Sequence, residues 1–125
     1  MKKITKGAGV PVVYDSVGKA TYPGSLECLR PRGLWVTFGN ASGPVPPISP
    51  LELGSRGSLF MTRPSLPNYT GTRAELEAVS RELFQVVKSG AVKIEINQRY
   101  ALKDAATAHR DLEARKTTGS TVLIP

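Results

Sequence analysis

The sequence predicts an α/β fold built on a parallel sheet, and three observations carry that reading. Val12-Val13-Tyr14-Asp15-Ser16-Val17-Gly18 and Gly33-Leu34-Trp35-Val36-Thr37-Phe38-Gly39-Asn40-Ala41-Ser42-Gly43 are both short β-branched and aromatic runs that stop at Gly, Ser or Asn. Buried parallel strands have that composition, and their carboxyl ends open into loops of small residues. The residues between the two runs leave room for a helix, which gives the spacing of a crossover between parallel strands. Ligands of open α/β sheets lie just beyond the carboxyl ends of the strands. Ser16 and the stretch Phe38 to Ser42 are therefore where a binding site is expected. No Gly-x-Gly-x-x-Gly turn occurs, so the phosphate-cradling half of a dinucleotide site is missing and the chain reads as the back half of an enzyme.

The first strand is expected over Val10 to Tyr14. A helix follows over Pro23 to Leu29, where Pro23 is tolerated because it falls in the first turn. Pro31 stops that helix, and Gly33 releases the chain into a strand from Leu34 to Phe38. Four prolines (44, 46, 47 and 50) keep residues 39 to 57 largely irregular, apart from a short turn of helix that Ser49 caps and Gly54 ends. Ser58 to Thr62 reads as a third strand closed by Pro64, and Pro67, Asn68 and Gly71 mark a loop. The strongest helix runs from Thr72 to Lys88. Thr72-Arg73-Ala74-Glu75 has capping-box spacing, and Leu76, Val79, Leu83, Val86 and Val87 recur on one face. Val92 to Ile96 alternates apolar with charged residues, as a half-exposed strand does, which points to a change of layer. A helix over Lys103 to Ala114, a turn at Thr117-Thr118-Gly119 and a strand from Thr121 to Ile124 complete the chain.

At 125 residues with 40% hydrophobic content, the chain is long enough for a packed core. No apolar run approaches the ~18 residues of a membrane span, and no apolar stretch follows the basic start as in a secretory signal. Lone Cys28 forms no internal disulfide and offers no metal framework. A cytoplasmic protein with no membrane partner is expected. The net charge of +7 suits an anionic partner. The cations are scattered, however, and no nucleic-acid module is recognisable, so nucleic acid is not the expected partner.

Four segments in register carry a family resemblance: Val12–Gly18, Phe38–Gly43, Phe60–Ser65 and Leu112–Pro125. Together they resemble the C-terminal portion of NADPH-dependent quinone oxidoreductases, the zeta-crystallin-like members of the medium-chain dehydrogenase/reductase superfamily. The similarity runs from about Ile4 to Pro125. It implies the second half of a Rossmann-type parallel sheet with flanking helices over residues 1–90. It also implies that residues 91–125 form a C-terminal strand–helix–strand of the catalytic, GroES-like domain, the rest of which is absent. By the resemblance, NADPH is the cofactor and a quinone or related electron-poor carbonyl compound the substrate. Ser16 then lies by the adenosine side. Phe38, Gly39, Asn40 and Ala41 run beside the nicotinamide ribose, Arg63, Pro64 and Ser65 follow the third strand, and Arg115 sits in a turn that folds back towards the cofactor. No catalytic side chain and no metal ligand is assigned, because hydride chemistry belongs to the nicotinamide and this branch is zinc-free. The resemblance also implies a homodimer through the Ser58–Thr62 edge strand.

Read without the resemblance, the same residues have structural roles. Gly39 and Gly43 end a strand and Asn40 caps a turn. Asp15 beside Ser16 would need His109 for a hydrolytic triad, and His109 is expected in a core or semi-buried position on its helix. Cys28 is expected as a small buried hydrophobe. The alternative for the chain as a whole is a non-catalytic truncated remnant that serves as an oligomerisation or binding module.

Overall fold

The computed structural model describes residues 1–125, which divide into two compact units, Met1–Gly71 and Thr72–Pro125. The first unit holds a three-stranded parallel sheet in the order β1 (Val10–Asp15), β2 (Leu29–Thr37), β3 (Phe60–Thr62). Helix α1 (Tyr22–Cys28) makes the crossover from β1 to β2, and α2 (Pro50–Ser55) precedes β3. The second unit holds α3 (Arg73–Lys88), β4 (Ile96–Ala101), α4 (Ala105–Glu113) and β5 (Ser120–Ile124), with β4 and β5 paired in parallel. No helix is long and apolar enough to cross a membrane.

Strand β2 is central and buried on both faces: Trp35 is 0% exposed and Val36 8%, as expected for a non-alternating strand in a covered parallel sheet. Trp35 packs with Leu26, Leu29 and Leu59 in one cluster, flanked by Tyr22, Val13 and Ile48. Each of those leucines contributes about 2 kcal/mol through burial. Leu29 opens β2 and Leu59 immediately precedes β3, so the cluster anchors the amino-terminal ends of these strands, with Trp35 further along β2.

Several boundaries differ from the sequence expectation. Leu29 is already extended (φ −76°, ψ 142°), and β2 starts there rather than at Leu34. Its register against β1 jumps from Val10↔Leu29 to Val12↔Leu34, because Arg32 takes a left-handed φ of 60° and bulges the chain out. Strand β3 begins at Phe60 rather than Ser58, since Ser58 has φ 56° and cannot extend a ladder. Residues 66–68, expected as plain loop, form a 3₁₀ turn.

The largest correction concerns β4. The alternating segment Val92 to Ile96 is not the strand, and pairing begins at Ile96 and continues to Ala101. The ladder is set by the partner, whose Ser120 aligns with Ile96 and whose Ile124 aligns with Ala101. Residues 96–101, Ile-Asn-Gln-Arg-Tyr-Ala, carry too little apolar pattern to announce themselves. Helix α3 follows its sequence closely. Thr72 Oγ1 accepts from the Glu75 N–H, and the Glu75 carboxylate accepts from the Thr72 N–H at 2.9 Å.

Candidate functional site

At the carboxyl end of β1, the chain turns at Asp15, and the turn is built around that carboxylate. Asp15 is 4% exposed. Its Oδ1 accepts from the N–H of Val17 (2.9 Å) and Gly18 (3.1 Å) and from Thr21 Oγ1 (2.8 Å), while Oδ2 accepts from Ser25 Oγ (2.8 Å). Burial pushes the carboxyl pKa up. The Gly18 N–H, the Thr21 and Ser25 hydroxyls and the Val17 N–H outweigh that and hold it at about 2. Asp15 is thus fully engaged in shaping the Ser16–Gly18 loop and tying it to α1, and it does not act as a base.

That loop is stitched to the one leaving β2. The Asp15 carbonyl accepts from the Phe38 N–H at 2.9 Å, and the Val17 carbonyl accepts from both the N–H and the hydroxyl of Ser42 at 2.8 Å. Ser42 Oγ in turn accepts from the Ala20 N–H, and the Gly43 carbonyl accepts from the Lys19 N–H. The backbones pack so closely that a Cβ on Gly39 would run into the Ser16 carbonyl. At Gly18, whose φ is +89°, a Cβ would lie 2.6 Å from the Gly43 carbonyl oxygen. Glycine is required at both positions by close approach, and at Gly18 also by conformation.

Arg63, just past β3, donates from Nη1 to the carbonyls of Thr37 (3.1 Å) and Gly39 (3.4 Å). It therefore ties the third strand end to the second. Pro64 is half-buried behind it and Ser65 exposed. Phe38 is 48% exposed, and Asn40 and Ala41 are exposed. A cavity of about 340 Å³ opens at these strand ends, with Trp35, Thr37, Asn40, Val45, Met61 and Arg63 in its lining. Thr37 Oγ1 and Trp35 Nε1 are buried there without a hydrogen-bond partner.

The structure thus brings Ser16, Phe38, Gly39, Asn40 and Arg63 to one edge of the first unit. Arg115 belongs to the second unit, where it takes φ 56° immediately after α4. Its N–H donates to the Leu112 carbonyl and that of Lys116 to the Asp111 carbonyl, both at 3.0 Å. This is the helix-ending geometry that usually employs glycine. Asp111 accepts from Tyr100 Oη at 2.9 Å and from Lys116 Nζ at 3.3 Å. The Tyr100 hydroxyl, followed by Lys116, lowers the Asp111 pKa, and the bond to Asp111 raises that of Tyr100. His109 is exposed on α4 rather than semi-buried, and Cys28 is half-buried.

Sequence reasoning missed the Asp15 network and the role of Thr37. The first had a signal. An Asp whose side chain can reach N–H groups two and three residues on marks a local turn, and Thr21 and Ser25 stand four apart on the start of α1, so both hydroxyls share a face. Thr37 had none, since its interest lies in being buried and unpartnered.

Known proteins are similar to this chain over nearly its whole length. A family model described as "Zinc-binding dehydrogenase" matches residues 1–123. A quinone oxidoreductase of Pseudomonas aeruginosa is 54% identical over 98% of this chain, which spans 38% of that relative. A 2-haloacrylate reductase from Burkholderia is 48% identical over the whole chain and 38% of its own length. The crystal structure of Escherichia coli quinone oxidoreductase complexed with NADPH superimposes with a TM-score of 0.88 at 52% identity, over 99% of this chain and 39% of that one. The chain therefore spans about two fifths of the length of such relatives. Zinc is held by three or four Cys, His or carboxylate ligands. Here there is one Cys and one His, and nowhere do three His, Cys, Asp or Glu side chains gather, so these residues do not fit such a site. With a single family model matching residues 1–123 and the strand-end loops folded as described, the chain belongs to the zinc-binding dehydrogenase family and is similar to the C-terminal portion of its quinone oxidoreductases.

Proposed function

We propose that the chain contributes part of the NADPH site of a cytoplasmic quinone reductase, with residues 1–90 completing the cofactor-binding domain and residues 91–125 belonging to the catalytic domain. The observation that carries this reading is the fused pair of loops at the carboxyl ends of β1 and β2. They bring small Ser16 and Gly39 into contact and leave the Asn40 side chain exposed beside a cavity of about 340 Å³. Those residues fit the ends of a dinucleotide. The close backbones admit a flat ring, Phe38 offers an apolar wall, and the unpartnered Thr37 hydroxyl and the Asn40 amide supply hydrogen bonds. Arg63 holds two carbonyls and so keeps the rim rigid, with Pro64 and Ser65 continuing it. Bound there, NADPH supplies the hydride that reduces the quinone. The chain's own residues bind and orient, and none is assigned as a proton donor. The exposed edge of β3, where Phe60 is 61% and Met61 47% exposed, supports a homodimer through that strand.

The test is an NMR titration of the chain with NADPH. Amide shifts are expected at residues 16–18, 38–41 and 63–65, saturating weakly at roughly millimolar concentration, because the backbone amides of a Gly-rich turn that anchor the pyrophosphate are not among these residues. No quinone turnover is expected from the chain alone. Shifts confined to other residues, or a low-micromolar dissociation constant accompanied by turnover, would overturn the reading.

A further inference from the structure

Strand β2 carries two polar side chains that the fold buries and leaves unpaired. Alternate residues of a strand share a face, so Trp35 and Thr37 lie on one side of the sheet, and Met61 of β3 is the register partner of Trp35. Helix α1 covers part of that side, with the Tyr22 ring 6.3 Å from the Trp35 ring. Beside it lies the cavity of about 340 Å³, which the chain segment 44–48 lines on one side and Trp35, Thr37, Met61 and Arg63 on the other. Val45, Ile48 and Met61 give it apolar walls. Trp35 is 0% and Thr37 6% exposed, yet neither Trp35 Nε1 nor Thr37 Oγ1 has a hydrogen-bond partner. Buried polar groups are nearly always paired, because an unmet one forfeits its bonds to water.

The segment 44–48 is stiff enough to hold the cavity open. Pro44, Pro46 and Pro47 fix their own φ. The segment is also pinned at both ends, where the Gly43 N–H donates to the Asn40 carbonyl at 2.9 Å and Ser49 Oγ accepts from the Leu51 N–H at 3.2 Å. The polar groups at the cavity are chiefly donors. An indole N–H can only donate, and a hydroxyl can donate. Arg63 spends Nη1 on the Thr37 and Gly39 carbonyls and keeps Nε and Nη2 available. Two neutral donors and a cation beside apolar walls match one chemical group. We propose that the cavity binds a small apolar carboxylate. Its oxygens accept from Trp35 Nε1 and Thr37 Oγ1, Arg63 balances its charge, and its hydrocarbon body packs between Val45, Ile48 and Met61. Charge-assisted bonds of this kind are stronger than neutral ones, and a volume at the small end of ligand pockets suits a single ring. The proposal shares Thr37 with the cofactor reading but does not rest on it. Every group involved belongs to the first unit, and NADPH binding is read at residues 16–18, which do not line this cavity.

The experiment titrates the chain with benzoate and follows the indole N–H signal of Trp35, the single tryptophan, by NMR. A downfield shift is expected, saturating with a dissociation constant of about 1 mM. Benzamide, which has the same shape without the charge, should bind about tenfold more weakly. Thr37→Val removes the hydroxyl at nearly constant shape. It should weaken benzoate about tenfold and raise the urea midpoint of the ligand-free chain, because an unmet buried group is gone. Should Thr37→Val fail to fold, Arg63→Gln serves instead and is expected to bring benzoate down to the affinity of benzamide. An indole signal that benzoate leaves unmoved overturns the proposal, and cross-peaks from that N–H to water would then identify water as the only occupant. Equal affinity for benzoate and benzamide overturns it as well, as does benzoate binding that neither variant weakens.

Discussion

Replacing Asp15 tests whether one buried carboxylate organises the strand-end site. Its two oxygens accept four hydrogen bonds, from two backbone N–H groups and two hydroxyls. Asp15→Ala removes both acceptor oxygens and all four bonds, and strands the Gly18 N–H in a buried position. Bonds to a charged group contribute about 1.5–3 kcal/mol, and a buried donor left unmet costs a similar amount. Thr21 recovers part of this, because its hydroxyl also reaches the Gly18 carbonyl at 3.2 Å, so a net loss of about 3 kcal/mol is expected. Asp15→Asn keeps one acceptor oxygen and should lose about 1 kcal/mol. The pH dependence gives a sharper test. The folded pKa of about 2 lies below the ordinary 3.8, so between those values the unfolded chain binds the extra proton. The corresponding stabilisation, about 2 kcal/mol, is complete above pH 4 to 5 and disappears as the pH falls towards 2. Urea unfolding can be followed through Trp35, the single tryptophan and fully buried, at pH 7 and pH 3. Asp15→Asn should show a smaller difference between the two pH values than the original chain. Equal differences in both proteins would refute the reasoning.

Gly39→Ala should destabilise the chain by about 2–3 kcal/mol, since its methyl would occupy the position of the Ser16 carbonyl; urea midpoints check this, and a neutral result would mean that the two loops are not in contact. Arg115→Gly should stabilise the chain by about 1 kcal/mol by relieving the left-handed arginine, seen as a higher urea midpoint; an unchanged or lower midpoint would mean the turn is not strained. Phe60→Lys should weaken self-association by placing a charge on the β3 edge. Sedimentation at micromolar concentration decides that point, and a monomeric original chain removes the proposed dimer.

What was legible in the sequence was whatever a single segment specifies by itself. The capping box at Thr72 and the apolar period of α3 are local, and both formed as read. The Val-rich β1 and the centre of β2 were legible because strands of a parallel sheet favour continuous apolar runs, and the glycines that follow them marked the strand ends. Strand β4 was not. Its residues 96–101 are selected by the register of β5, a partner some twenty residues on, while the attractive alternation just before it finds no neighbouring strand. Arg32, Ser58 and Arg115 were illegible for a related reason. Left-handed backbone at a non-glycine residue is imposed by surrounding contacts, and nothing in the residue type announces it. Asn40 and Arg63 could be named from motifs, but that Arg63 reaches back to the Thr37 and Gly39 carbonyls required the third strand in place.

The seam between the two strand-end loops has a consequence for how such a site can be changed. Ser42 is tied at once to Val17 and Ala20, and Lys19 to Gly43, so the lengths of the two loops are coupled. An insertion or deletion in residues 16–20 leaves its counterpart in 39–43 out of step, and the mismatch falls on the approach of Gly39 to Ser16. Changing the length of one loop alone is therefore expected to give mostly poorly folded proteins. The two loops are better varied or transplanted together, as one cassette joined across the eighteen residues 21–38.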